Sequence, residues 1–373
     1  MTMSEMALKP EPRTGADEPW VLVERHGALS SFVLNRPQSL NAFDDDMRAV
    51  IADEIPRIAR NPDIYIVSLS SSSPKAFCAG GDVRALAIAA KTDLNGVKAR
   101  FGREYQLNWL LECFSKPVVS FIDGICMGSG AGLSLYNTHR VAGENYKFAM
   151  PETAIGLFPD VGVAHVLAKL PWPVGLYLGL TGRVVDRADA LWLGLATHCI
   201  SSQHFMSVQQ SLADAQPVDP LLDRLHQNQE PGPLQKELPF IRDYFSYNSL
   251  PEIFAHLERA NGASREWARQ TLNNLQSRSP MSLAITDRHI RLAGKIELRQ
   301  TLIQDFRLAS RCLDASDFQE GVRAALIDKD GKPLWKPATL AELSETGVES
   351  YFEPLGDMDL KLATREEMQA MRV

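Results

Sequence analysis

Residues 116–138 read KPVVSFIDGICMGSGAGLSLYNT. A mostly β-branched run, VVSFI, gives way to glycines at 124, 128, 130 and 132 and then to an apolar stretch. Strand, tight turn, helix is the reading. The same pattern stands upstream. IYIVSLSS (64–71) reads as a buried strand, and SPKAFCAGGDVRALAIAA (73–90) as a loop feeding a helix. FGREYQLNWLLECFS (101–115) reads as a helix, and RVAGENYKFAMPE (140–152) holds another short strand pair. A recurring strand–turn–helix unit predicts an α/β core.

Working outward, VLVERHGALSSFVLNRP (21–37) has two alternating apolar runs around Gly27, which predicts a β-hairpin. FDDDMRAVIADEIPRIAR (43–60) opens with acids and carries helical spacing at Met47, Val50, Ile51 and Ile55. Acids suit a helix start, so Asp44, Asp45 and Asp46 are expected to form a solvated N-terminus. Pro56 is expected to bend or interrupt that helix. Residues 173–200 read as two short helices around a turn at Gly182. After residue 205 the texture changes. AQPVDPLLDRLHQNQEPGPLQ (215–235) is rich in proline and glutamine and reads as a loop or linker, and helical periodicity dominates beyond it. The chain is therefore expected to comprise a flexible tail (1–20), a core (21–205) and a mainly helical region (206–373).

The 373 residues suffice for a substantial core, and 45% hydrophobic with 23% charged residues is ordinary for a globular protein. A net charge of −7 argues against nucleic-acid binding, which leaves a basic footprint. No apolar run approaches the ~18 residues that span a bilayer, so no membrane partner is expected. Cys78, Cys113, Cys126, Cys199 and Cys312 are odd in number and widely spaced, which predicts reduced core thiols. The histidines show no HExxH or HxxxH spacing, so no metal site is expected. The first twenty residues lack an apolar core and are too acidic for a transit peptide. A cytoplasmic protein is the expectation.

The glycine run excludes several familiar chemistries. A dinucleotide fingerprint needs a glycine where Leu133 stands, a P-loop needs GK[ST], and a nucleophile elbow needs a glycine where Met127 stands. What remains is a tight turn opening a helix, whose free N–H groups can hold an anion or a developing oxyanion. CAGGDVRAL (78–86) offers the same device again. Two such turns can pinch one carbonyl oxygen between two N–H donors. Downstream, MPETAIGLFPDVG (150–162) carries two acids, Glu152 and Asp160, among apolar and turn residues. Desolvating a carboxylate is expensive, so such acids are capped, paired or used. Poorly solvated acids have perturbed pKa values and serve as nucleophile or general base. The chemistry suggested is attack on a carbonyl.

AFCAGGDVRAL, GICMGSGAGLSL and FAMPETAIGLFPDVG together resemble the enoyl-CoA hydratase (crotonase) superfamily, and within it the 3-hydroxyisobutyryl-CoA hydrolase branch of valine breakdown. The likeness runs from about residue 20 to 353. It includes NRPQSLNAF (35–43), REYQLN (103–108), LTGRVVDRADALWLGLATH (180–198) and DFQEGVRAALIDKDGKPLWKP (317–337). It implies a spiral of ββα repeats with a C-terminal helical region, and an acyl-coenzyme A thioester as partner. No separate cofactor is implied, since coenzyme A is part of the substrate. The oxyanion hole would use the amides of Gly81 and Ser129, the latter where relatives often have glycine. Hydratases of this kind employ two glutamates. One maps to Glu152 and the other to Gly132, so the second acid is missing. The hydrolase pattern has glycine there and an aspartate at Asp160, and it places Glu104, Gly80, Asn41 and Ala42 along the substrate. The resemblance thus implies hydrolysis of a short 3-hydroxyacyl-CoA by a Glu152/Asp160 pair, in a homo-oligomer. Two other readings stay open: another crotonase reaction such as hydration or isomerisation, and a non-catalytic binding or assembly protein.

Overall fold

The computed structural model describes residues 19–373. The expected tail lies outside the described residues except for Pro19 and Trp20. Trp20 lies under the Arg36 guanidinium, 4.4 Å from ring centroid to cation.

Strands β1 (Val21–His26) and β2 (Leu29–Leu34) form the antiparallel hairpin, with Gly27 at φ 54° in its turn. The chain then repeats a unit of two strands. β3 (Ile66–Ser71) with β4 (Ala76–Cys78), β5 (Val118–Ile122) with β6 (Ile125–Met127), and β7 (His139–Ala142) with β8 (Lys147–Ala149) are the three pairs. In each pair the first strand joins a six-stranded sheet and the second a four-stranded sheet. β9 (Val185–Asp186) and β10 (His198–Cys199) complete the small and large sheets respectively. This is the expected spiral of ββα repeats. Its helices follow the second strands: α2 (Val83–Ala90) and α3 (Leu94–Cys113) after β4, and α4 (Ser129–Ser134) after β6. Helix α1 (Asp45–Arg60) precedes the first repeat. Farther along lie α5 (Val163–Lys169), α6 (Val174–Thr181), α7 (Arg187–Trp192) and α8 (Phe205–Ala213); α6 ends at Gly182 as the turn predicts.

Parallel register in the small sheet positions everything that follows. Cys78 pairs with Cys126, and Met127 with Ala149. The loops leaving β4, β6 and β8 therefore emerge side by side at the carboxyl ends of three adjacent parallel strands, where α/β sheets commonly place ligand sites.

Two features depart from expectation. Helix α1 runs unbroken through Pro56. Ile51, Ile55 and Ile58 anchor it in the core, and the Lys116 ammonium bonds the carbonyls of Ile58, Asn61 and Ile64 at its C-terminus at 2.5–2.7 Å. The supposed linker holds a helix, Val218–Leu225. Leu221 and Leu222 bury with Val208 and Leu212 of α8 against Ile66, Val119 and Val141, covering one face of the large sheet. Pro217 and Pro220 stand at that helix's start, where proline is tolerated. All five cysteines are free and buried, as expected.

Leu222 should therefore behave as core. Leu222→Ala is expected to lower unfolding free energy by about 2–4 kcal/mol in urea titration; a change below about 0.5 kcal/mol, usual for a surface site, would return this segment to linker status.

Candidate active site

The turn after β4 is held from one side by residues 40–43. Ala79 N–H donates to the Leu40 carbonyl at 3.0 Å, Phe43 N–H to the Gly80 carbonyl at 2.8 Å, and Asp82 N–H to the Phe43 carbonyl at 3.1 Å. This clamp skips the Gly81 amide, which makes no hydrogen bond among the described residues. Ser129 is the first residue of α4, and its amide likewise has no acceptor there. The turns touch. Gly80 has φ 112°, and a Cβ built on Gly128 would lie 3.3 Å from both the Gly80 Cα and Glu152 Oε1. A Cβ on Gly81 would meet Ser129 Oγ at 3.3 Å. Two free amides and one carboxyl group thus converge where glycine alone allows the backbone this close.

Glu152 opens a short 3₁₀ turn, Glu152–Ile155, just beyond β8. It is buried, and its Oε2 has no hydrogen-bond partner. Burial pushes its pKa up to about 8, against the weaker pull of its own backbone amide. A buried polar atom left unbonded costs of order 1–3 kcal/mol.

Asp160 is buried and accepts a 2.7 Å hydrogen bond from the Tyr105 hydroxyl. Its pKa is raised well above the carboxylate range, first by burial and then by the charges of Glu152, Glu104 and Asp305. The three predicted acids therefore belong to one electrostatic cluster. They are not equivalent. Glu104, on α3, is buried and paired with Arg48 at 3.4 Å. It is no solvated partner of Arg103, which instead bonds Asp45 at 3.2 Å. Asp45 also holds Arg48, and Arg100 at 2.9 Å, while Asp44 caps α1 by accepting from Met47 N–H at 3.0 Å. Asp44 and the exposed Asp46 thus stand at the helix start as expected, whereas Asp45 is an ion-pair hub.

The loop carrying Asp160 is braced from behind. Val161 sits at φ 51°, a strained value for a β-branched residue. The Tyr136 hydroxyl donates to its carbonyl, and Gly162 N–H donates to Asp305 Oδ2 at 2.6 Å. Asp305 Oδ1 accepts from His289 Nε2 at 2.6 Å, and both side chains are fully buried. Tyr105, Tyr136, His289 and Asp305 carry no local sequence signal, which is why sequence reasoning passes over them.

The structure brings together Gly80, Gly81, Ser129, Glu152, Asp160 and Glu104. Asn41 and Ala42 flank the turn after β4, and the Asn41 side chain has a structural task there. The Asn41 side chain is fully buried, accepting from Arg36 N–H at 2.7 Å and donating to Ser71 Oγ at 2.7 Å and the Phe77 carbonyl at 2.9 Å. It is committed to fastening the 36–43 loop to β4. The Ala42 carbonyl accepts from Arg36 Nη1 at 3.0 Å, and that guanidinium also bonds Asp82 at 3.1 Å. A surface hollow of about 340 Å³ lies at the other end of α1, beside Arg60, Lys116 and Arg372. Its Lys116 is already committed to three carbonyls. Among the described residues, no cluster of three or more His, Cys, Asp or Glu could hold a metal, and no helix is long and apolar enough to cross a membrane.

A family model described as enoyl-CoA hydratase/isomerase matches residues 29–352. The chain belongs to that family. Members similar to it include proteins named "3-hydroxyisobutyryl-CoA hydrolase, mitochondrial". The one from Xenopus tropicalis is 39% identical over 91% of this chain and 90% of its own length. The one from Danio rerio is 39% identical over 92% and 91%, and the one from Homo sapiens 36% over 91% and 90%. Among solved structures, a carnitinyl-CoA dehydratase from Mycobacterium thermoresistibile superposes with TM-score 0.87 at 32% identity, covering 92% of this chain and 99% of that one. An enoyl-CoA hydratase from Rhodobacter sphaeroides 2.4.1 gives 0.85 at 32%, covering 92% and 100%. The relatives' names contradict the cytoplasmic expectation, since each carries the word mitochondrial.

Within the enoyl-CoA hydratase/isomerase family the sequence resemblance puts a second hydratase glutamate at position 132. The structure leaves no room for one. A Cβ on Gly132 would lie 2.7 Å from Asn108 Nδ2 and 2.9 Å from Val161 Cβ. The braced Val161 fills that space. Gly132→Ala is accordingly expected to cost roughly 1–3 kcal/mol by overpacking, read by thermal or urea unfolding; a neutral substitution would show that Val161 yields.

Proposed function

We propose that this chain hydrolyses the thioester of 3-hydroxyisobutyryl-CoA, or of a similar short 3-hydroxyacyl-CoA, as a step of valine catabolism. The observation that carries this reading is Glu152 Oε2, buried and unbonded beside two free amides, with a second acid sterically barred at position 132. The relatives named above, matched over nearly their whole length, support it.

The thioester oxygen accepts from the Gly81 and Ser129 amides, which stabilise negative charge as the carbonyl carbon becomes tetrahedral. Glu152 must be ionised, whether it attacks that carbon itself or takes a proton from a water that does. In the water route, hydroxide adds to the carbon, the carbon–sulfur bond breaks, and the proton held by Glu152 passes to sulfur. Acid and coenzyme A thiol leave, and Glu152 is again a carboxylate. Asp160, fixed by Tyr105, offers its remaining oxygen to the substrate's 3-hydroxyl group. Glu104, neutralised by Arg48, completes that wall. No cofactor enters the scheme.

Glu152→Gln is expected to lower kcat for thiol release from 3-hydroxyisobutyryl-CoA by at least ~10²-fold, the scale of losing a principal catalytic group. Full activity in that variant would remove Glu152 from the mechanism. A parent chain that bleaches the absorbance of an enoyl-CoA and releases no thiol from 3-hydroxyisobutyryl-CoA would favour hydration instead.

Ionisation also sets the pH dependence. In the free enzyme kcat/KM should rise as pH climbs through about 8, where Glu152 loses its proton. Stability runs the other way. Unfolded, this glutamate ionises near 4.5, whereas folded it keeps its proton to about 8. The folded state thus binds more protons in that window, and stability falls as pH rises through it. Glutamine has no such penalty. Glu152→Gln should be more stable than the parent at pH 7 by on the order of 1–3 kcal/mol, in urea unfolding, with the gap closing below pH 4.5. A variant less stable than the parent at pH 7 would contradict the forced burial of charge.

A further inference from the structure

The hydroxyl of Ser129 has no role in the scheme so far. Ser129 is 6% exposed, yet its Oγ forms no hydrogen bond among the described residues. Serine hydroxyls in helix N-terminal turns usually bond a nearby backbone group, and buried ones are rarely idle. This one is aimed elsewhere. Oγ lies 3.3 Å from where a Cβ on Gly81 would stand, and apart from Gly81 and its chain neighbours no other atom lies within 4 Å of that point. Beyond the adjoining chain, this hydroxyl alone stands over Gly81, and the two residues that meet there, 81 and 129, are the two whose amides are free. Glu152 Oε1 approaches the same turn through Gly128.

We infer that Ser129 Oγ–H is a third donor to the substrate's thioester oxygen, beside the two backbone amides, and so a catalytic residue. The inference rests on the thioester hydrolysis proposed above. A hydroxyl with no partner in the fold gives up no internal hydrogen bond on meeting the oxygen. As charge gathers there in the transition state, its hydrogen bond strengthens. An interaction made mainly in the transition state appears in kcat rather than in KM. A side chain that merely narrowed the cleft would do the reverse: its removal would change KM and the tolerated acyl size and leave kcat in place.

The test compares the full chain with Ser129→Ala and Ser129→Gly, by thiol release from 3-hydroxyisobutyryl-CoA. Thermal unfolding checks that each variant folds. Both substitutions remove the donor and keep the amide. Both are expected to lower kcat by about 10- to 100-fold, the scale of a hydrogen bond to a charged oxygen, with KM within about threefold. A coenzyme A thioether of the same acyl length, lacking the carbonyl oxygen, should inhibit parent and variants with the same Ki. Unchanged kcat in both variants, or a Ki that weakens in step with kcat/KM, overturns the inference and leaves thioester hydrolysis standing. A parent chain that releases no thiol from this substrate overturns both.

Discussion

A carboxyl group with an oxygen that has nothing to bond is the constraint around which this molecule is arranged. Glu152 is buried, its Oε2 lacks a partner, and burial holds its proton to about pH 8. A structural glutamate would be exchanged for something cheaper to bury, or given a cation as Glu104 is given Arg48. Glu152 has neither. Its neighbours are instead the backs of two glycine turns whose amides are also left free. Two free amides and an unbonded carboxyl oxygen meet around the same glycine turns.

Parallel register explains why these groups meet. β4, β6 and β8 are only three residues long each, but they pair in order and end together. The loops that follow carry Gly81, Ser129 and Glu152. The helical C-terminal half then sets the floor of the site. Asp305, on helix Leu298–Asp314 and bonded to His289 of helix Pro280–Ala293, accepts from the Gly162 amide and holds Val161 in its strained conformation. That conformation presents Asp160 toward Tyr105 and packs Val161 against Gly132. One brace thus places an acid and closes the space where a second hydratase-type acid would sit.

Much of this was legible in the chain itself. The recurring strand–turn–helix texture and the paired glycine turns gave the repeats. Two acids in an apolar loop marked the site, because local composition alone shows that a charge there is costly. Other features were hidden for physical reasons. Pro56 suggested a break, but tertiary anchoring by three isoleucines and the Lys116 ammonium outweighs its local cost. Residues 218–225 looked like a linker because their prolines mask two buried leucines. Asn41 fell in the right neighbourhood with a different task, since its partners, Ser71 and Phe77, lie thirty or more residues away. Asp305 is 143 residues from Gly162, a separation across which no local pattern can speak.

The account stands on the protonation of one side chain. A direct measurement is the carboxyl carbon of Glu152 followed by NMR through a pH titration of ¹³C-glutamate-labelled protein, assigned by its absence in Glu152→Gln. A midpoint near 8 is the expected result. A midpoint near 4.5, the value of a glutamate bathed in water or held by a cation, would contradict it.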